Sequence, residues 1–351
     1  MEKTDYIIVG SGLAGITLAH QLKQAGYKIK IISEPSLSKS SRVAAGIFNP
    51  VVFFRITKSY LADLALPFAI DFYTQIESLL SINILQKKSI AKFFGAPDEP
   101  ILWMKRMEEG VGSYLGEINN QYKESITLNT KHGMGMVHKA GAVDCGTYMD
   151  ASVNYFGDDF IREKIDYGKI SFLPEGVIYN DIQAEKMIFC EGHFISENPF
   201  FNYIQLKPVK GEVLTIEFEQ DFSAGSENFL LNKKCYLLPL GQRKYRVGAT
   251  YNWKDLSEEV SEAGLAELTA HIMEITPIPF KVLVHDAGVR PASTDRRPII
   301  GTHREHEQLA VFNGLGAKGV MLAPYFAKEL VLHLTQKKVP HKEYGAARYN
   351  R

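Results

Sequence analysis

The apolar positions of this chain fall into short solid runs near both ends and an alternating pattern in between. Residues Tyr6, Ile7, Ile8 and Val9 form one such run, the mark of a strand buried on both faces. Leu13, Ile16, Leu18, Ala19 and Leu22 then recur at three- and four-residue spacings, which predicts a helix immediately afterwards. A second strand is predicted over 27–33, and one or two helices over 56–80, where Leu61, Leu64, Phe68, Phe72, Ile76 and Leu79 share a face. The pattern turns strand-like over 82–95 and helical over 97–109. A strand is expected at 135–138 and a helix over 145–156, with Asp144 placed to cap it. Strands follow at 176–180 and 186–190. From 206 to 252 apolar and polar residues alternate in parts, with turn residues at 241–243, predicting an antiparallel sheet with a hairpin. A helix over 257–275, strands at 281–285 and 309–312, and a last helix ending near Leu334 complete the reading.

The first strand meets its helix through Gly10-Ser11-Gly12-Leu13-Ala14-Gly15. A strand that feeds a G-x-G-x-x-G turn into a helix is a dinucleotide-binding pattern. Gly10 permits the tight turn, Gly12 lets a pyrophosphate approach the backbone, and Gly15 lets helix and strand pack closely. The free amides and positive end of the helix face the phosphates. Glu34 closes the second strand 24 positions after Gly10, near the spacing of about 20 expected of an acid that binds a ribose diol. A serine-rich loop over 35–41 leads to Arg42-Val43-Ala44-Ala45-Gly46, small residues beside a cation that suit close approach to a flat or anionic ligand, or simply a tightly packed loop. Gly192 follows the 186–190 strand at a place suited to the carboxyl edge of a parallel sheet. A second strand and glycine turn occupies 309–320, so the two ends of the chain are expected to fold together.

Composition narrows the partners. The 351 residues suffice for about two domains, and 40 basic against 40 acidic side chains leave no net charge to draw nucleic acid or an anionic membrane. The polar start of the chain leads directly into a core strand, which favours a cytoplasmic protein over a secreted one. Cys145, Cys190 and Cys235 are widely spaced, and no histidine spacing suggests a metal site. Reduced, buried thiols are expected.

Taken together, V-G-S-G-L-A-G at 9–15, R-V-A-A-G-I-F-N-P at 42–50, K-G-E-V-L at 210–214, Y-L-L-P at 236–239, V-G-A-T at 247–250, G-V-R-P with R-R-P-I-I-G at 288–301 and the glycine turn at 313–324 resemble the FAD-dependent D-amino-acid-oxidase-like family, within it glycine oxidase and its relatives. The resemblance implies an α/β architecture: a Rossmann-like FAD-binding domain from 1–50, 135–205 and 285–351, and an α+β substrate domain on an antiparallel sheet from 51–134 and 206–284.

By the same resemblance, Gly10, Ser11, Gly12, Leu13, Ala14 and Gly15 hold the FAD pyrophosphate and Glu34 the ribose. Ser41, Arg42, Ala44, Ala45, Gly46 and Gly192 lie along the cofactor. Gly314, Gly316, Ala317, Lys318, Gly319 and Val320 face the flavin, their amides stabilising charge on the reduced ring. Arg290 would grip a substrate carboxylate with its planar fork and border the flavin, and Tyr236 would line the substrate site. Lys318 either places a cation over the flavin or faces solvent. No cysteine lies in 313–320, so FAD is expected to be non-covalent. The implied reaction is oxidation of the C–N bond of a small amino acid or secondary amine, with oxygen or another acceptor reoxidising the flavin. Two alternatives are FAD-dependent modification of a tRNA wobble uridine, which zero net charge disfavours, and a catalytically silent FAD binder.

Overall fold

The structure is a computed structural model that describes residues 1–34, 40–120, 125–222 and 228–349. Most of the serine-rich loop predicted at 35–41 lies outside the described residues.

In chain order the principal elements begin with β1 (Tyr6–Val9), α1 (Leu13–Gln24), β2 (Ile29–Ile32) and the single turn α2 (Ser40–Val43). They continue with α3 (Ala62–Leu80), β3 (Ile90–Phe93), α4 (Glu99–Met107), β4 (Leu115–Asn119), β5 (Met134–Val137), α5 (Cys145–Phe156), β6 (Phe160–Ile161) and β7 (Lys186–Phe189). The last third holds β8 (Val209–Phe218), β9 (Leu230–Asn232), β10 (Tyr236–Gly241), β11 (Lys244–Gly248), α6 (Glu262–Met273), β12 (Phe280–Arg290), β13 (Ile299–Thr302), β14 (Leu309–Asn313) and α7 (Gly319–Gln336).

Two sheets organise these elements. A six-stranded sheet has the order β6-β2-β1-β7-β14-β13, parallel except for the β13–β14 pair. It joins the beginning, middle and end of the chain. All four residues of β1 are buried, as expected for a strand covered on both faces. Helices α1 and α7 pack on each other, and α3 packs on α7. An eight-stranded sheet runs β12-β8-β11-β10-β9-β3-β5-β4, antiparallel except for the parallel β9–β3 pair. Among the described residues no helix is long and apolar enough to cross a membrane.

Several predicted boundaries move. The helix expected over 56–80 starts only at Ala62, because Ile56 and Leu61 hold φ of 47° and 50°, outside the helical region. The residues before it form a two-stranded ribbon, Val51 opposite Lys58. The strand-like stretch over 82–95 divides into Leu85–Lys87 and β3. The helix expected from 257 starts at Glu262, where the Ser261 side chain accepts from Gly264 N–H at 3.0 Å. The strand expected at 281–285 runs on to Arg290, because β8 pairs with it from end to end. Asp144 does cap α5, accepting from Thr147 N–H at 3.0 Å.

Candidate active site

One cavity of about 900 Å³ runs between the two sheets. Of the site residues named from sequence, Gly10, Ser11, Gly12, Leu13, Ala14, Glu34, Ser41, Arg42, Ala44, Ala45, Gly46, Gly192, Tyr236, Arg290, Gly316, Ala317, Lys318, Gly319 and Val320 all line it. Gly15 and Gly314 do not, and they act by packing. A Cβ on Gly15 would stand 1.9 Å from the Gly10 carbonyl oxygen, and one on Gly314 would stand 2.8 Å from Ile299 Cγ1. Gly10 takes φ of 100° with Cys190 O 2.5 Å from its missing Cβ, so both backbone conformation and space demand glycine there.

One stretch of the cavity wall is built on the start of α1. Its N-cap, Gly12, contributes no side-chain cap. Leu13 N–H donates to Ser41 Oγ at 3.1 Å, and Ser11 N–H to Ser33 Oγ at 3.1 Å. Arg42 Nη1 pairs with Asp150 Oδ1 at 2.6 Å. A helix N-terminus whose own N-cap residue is a glycine, a glycine cradle and a cavity of this size fit the pyrophosphate and adenosine of FAD. Glu34 stands at the end of β2 on the same wall.

Glu191 was not singled out from the sequence. It too lines the cavity, next to the Gly10 turn, and it accepts from Tyr167 OH at 2.6 Å and Asn198 Nδ2 at 2.7 Å. Burial raises its carboxyl to about 7 against the downward pull of those two hydrogen bonds.

Arg290 and Lys318 also line the cavity. Arg290 closes β12, and its Nη1 donates to Thr250 O at 3.2 Å while the guanidinium lies 4.6 Å over the Tyr251 ring. Among the described residues no carboxylate lies within ion-pair distance of it. Its seat is Gly211 on β8, where a Cβ would fall 2.0 Å from Arg290 Nη2. Glycine inside a strand signals close approach of another group, so K-G-E-V-L carried this hint without saying what approached. Tyr236 stands on β10 nearby; burial pushes its phenol upward against the pull of Arg290 and Arg246. Lys318 Nζ donates to Ser59 Oγ, and burial lowers its ammonium to about 8. Lys318 is one of the residues that line the cavity. Cys190 and Cys235 are buried in the wall, and burial drives the Cys235 thiol up to about 12. Among the described residues no cluster of side chains could hold a metal ion.

Relatives of known fold share the architecture of this chain. Glycine oxidase of Bacillus subtilis is 21% identical over 91% of this chain and 89% of its own length. The tRNA 5-methylaminomethyl-2-thiouridine biosynthesis bifunctional protein MnmC of Acinetobacter baylyi is 23% identical over 95% of this chain, which spans about half (53%) of that relative. In structure, glycine oxidase from Bacillus cereus superposes with a TM-score of 0.79, 20% identity and coverage of 96% of this chain and 99% of that one. L-proline dehydrogenase from P. horikoshii gives 0.80, 17% identity, 100% and 98%. The model of the FAD dependent oxidoreductase family matches residues 5–332, and the chain belongs to that family, with FAD as its cofactor.

Proposed function

We propose that this flavoprotein oxidises the C–N bond of a small amino acid or secondary amine that carries a carboxylate. The observation that supports this reading is the Arg290 guanidinium. It stands without a carboxylate partner among the described residues, on the wall of the cavity that also holds the glycine turns. Thr250 O occupies Nη1 and leaves the rest of the fork for a substrate carboxylate, which it can bind through two charge-assisted hydrogen bonds.

Bound FAD supplies a hydride acceptor. The residues of the first glycine turn and α1 would hold its pyrophosphate, Glu34 its ribose, and the turn at 316–320 its ring. Arg290 orients the substrate, and the phenol of Tyr236, kept neutral by burial, remains able to donate a hydrogen bond. No protein base is required when the amine enters uncharged, because positioning alone removes much of the barrier. The parallel sheet and its helices would form the cofactor domain and the antiparallel sheet the substrate domain.

The test is a panel of glycine, sarcosine, D-amino acids and proline analogues, followed by flavin bleaching without oxygen and peroxide release with it. Bleaching by a carboxylated amine that Arg290→Ala slows at least tenfold is expected. Equal turnover in that variant would sink the assignment.

A second reading, an amine carried on tRNA, draws support from the bifunctional MnmC relatives, about half of whose length this chain covers. Salt-dependent binding of tRNA by the purified protein would favour it, and no binding at low salt would remove it.

A further inference from the structure

The eight-stranded sheet carries a row of residues across four adjacent strands on the wall of the cavity. By register, Val213 on β8 stands opposite Gly248 on β11, Gly248 opposite Tyr236 on β10, and Tyr236 opposite Asn232 on β9. All four line the cavity. A Cβ on Gly248 would lie 2.8 Å from the Tyr236 hydroxyl. The phenol therefore leans over β11, toward β8, where Gly211 seats Arg290, and away from Asn232.

Asn232 ends the row on an unused acceptor. Its Oδ1 is buried and has no hydrogen-bond partner among the described residues. Buried acceptors are nearly always bonded, so one left open in a cavity-lining side chain calls for a donor that the fold does not supply. A half turn of the carboxamide exchanges its carbonyl and amino ends across a broad, two-fold torsion, which lets the carbonyl meet a donor entering the cavity. Neighbouring strands stand about 4.8 Å apart, so Asn232 lies roughly 10 Å along the row from β11 and the hydroxyl above it. A hydrogen bond of about 2.9 Å at each end leaves roughly 4 Å for the ligand itself. An α-amino acid, from carboxylate to amine, has about that reach.

We infer that Asn232 accepts a hydrogen bond from the amine N–H of the substrate whose carboxylate Arg290 holds. The substrate class is therefore an α-amino acid whose nitrogen, primary or secondary, keeps a hydrogen. The inference rests on the carboxylate role proposed for Arg290 and names the residue that meets the other end of the same molecule. Bound FAD supplies the acceptor for the hydride, which leaves Cα with the electron pair of its bond. The amine lone pair then closes the C=N bond and the nitrogen turns positive. Its N–H becomes a stronger donor as this happens, so the bond to Asn232 tightens toward the transition state and raises kcat rather than lowering KM.

The test compares the FAD-loaded parent with Asn232→Leu, similar in shape but without the acceptor, and Asn232→Asp, which keeps an acceptor and adds charge. One probe is the panel amine that bleaches the flavin fastest without oxygen. The other is methoxyacetate, which has the carboxylate but no N–H, titrated calorimetrically. In Asn232→Leu the limiting bleaching rate should fall about tenfold or more, while the dissociation constant of methoxyacetate stays within roughly twofold. In Asn232→Asp the new carboxylate favours the ammonium form of the amine, so the bleaching rate should reach its plateau at a pH roughly one unit higher. Unchanged bleaching in the leucine variant, or methoxyacetate weakened as much as the amine, overturns the inference and leaves the Arg290 reading intact. Should that variant fail to fold, an unmoved plateau in Asn232→Asp overturns it equally. If methoxyacetate does not bind the parent, if Arg290→Gln binds it unchanged, or if no panel amine bleaches the flavin, the reading of the site fails and the role of Asn232 fails with it.

Discussion

Adding a single methyl group to Gly211 should disable carboxylate recognition without touching the cofactor or the core. In Gly211→Ala the new carbon would lie 2.0 Å from Arg290 Nη2, 2.4 Å from Cζ and 2.6 Å from Nη1. Ordinary contact needs about 3.5 Å, so the guanidinium must retreat by about 1.5 Å. It can do so cheaply, because the clash is with the end of a flexible side chain and not with backbone. Stability and FAD content should therefore hold. Recognition should not: losing one charge-assisted hydrogen bond to the carboxylate costs about 1.5–3 kcal/mol, equivalent to a roughly 10- to 150-fold loss in kcat/KM, carried mainly by KM. The assay is steady-state kinetics on a carboxylated amine that reduces the flavin, with absorbance for FAD occupancy and Arg290→Lys as a parallel variant. Unchanged KM in Gly211→Ala, where Arg290→Ala loses more than tenfold, would refute the reasoning; so would loss of FAD.

Gly15→Ala should yield protein lacking FAD, since a carbon 1.9 Å from Gly10 O would push α1 off β1; the ratio of flavin to protein absorbance after purification checks this. Glu191 is neutral below about pH 7 and an anion above it. FAD, itself an anion, should therefore bind less tightly as pH rises through 7, and Glu191→Gln should flatten that dependence in a fluorescence titration. The same sign holds for folding: a carboxyl whose native pKa is raised contributes stability below its ordinary value that is lost as pH climbs to about 7, so the glutamine variant should melt higher than the parent at pH 8. Lys318 is a cation below about pH 8. Any rate that uses its charge should fall as pH rises through 8, and the inflection should vanish in Lys318→Met.

What the sequence disclosed was whatever is encoded locally. The run at 6–9, the glycine spacing after it and the Asp144 cap each depend on residues a few positions apart, and each stands where expected. Boundaries were lost where distant contacts decide. Nothing in residues 56–61 announces the left-handed turns that delay α3, and β9, three residues long, exists because β3 and β10 flank it. The same division holds within the site. Motifs named Arg290, Tyr236 and the glycine turns, whereas Gly211 and Tyr251 matter because β8 and the loop after β11 bring them against one guanidinium from 79 and 39 residues away. Glu191 had no local signal, since its hydrogen-bond partners Tyr167 and Asn198 are brought to it by the fold.

The four residues of α2 join otherwise separate parts of the molecule. Ser40 Oγ both donates to Val289 O at 2.7 Å and accepts from Val289 N–H at 3.0 Å, one residue before Arg290. Ser41 meets the first amide of α1, and Arg42 meets α5. Any change at the first glycine turn that α2 senses must therefore be shared with the strand that ends in Arg290. Such sharing is a free energy of coupling, and it is reciprocal: whatever factor FAD adds to the affinity for a carboxylate, the carboxylate adds to the affinity for FAD.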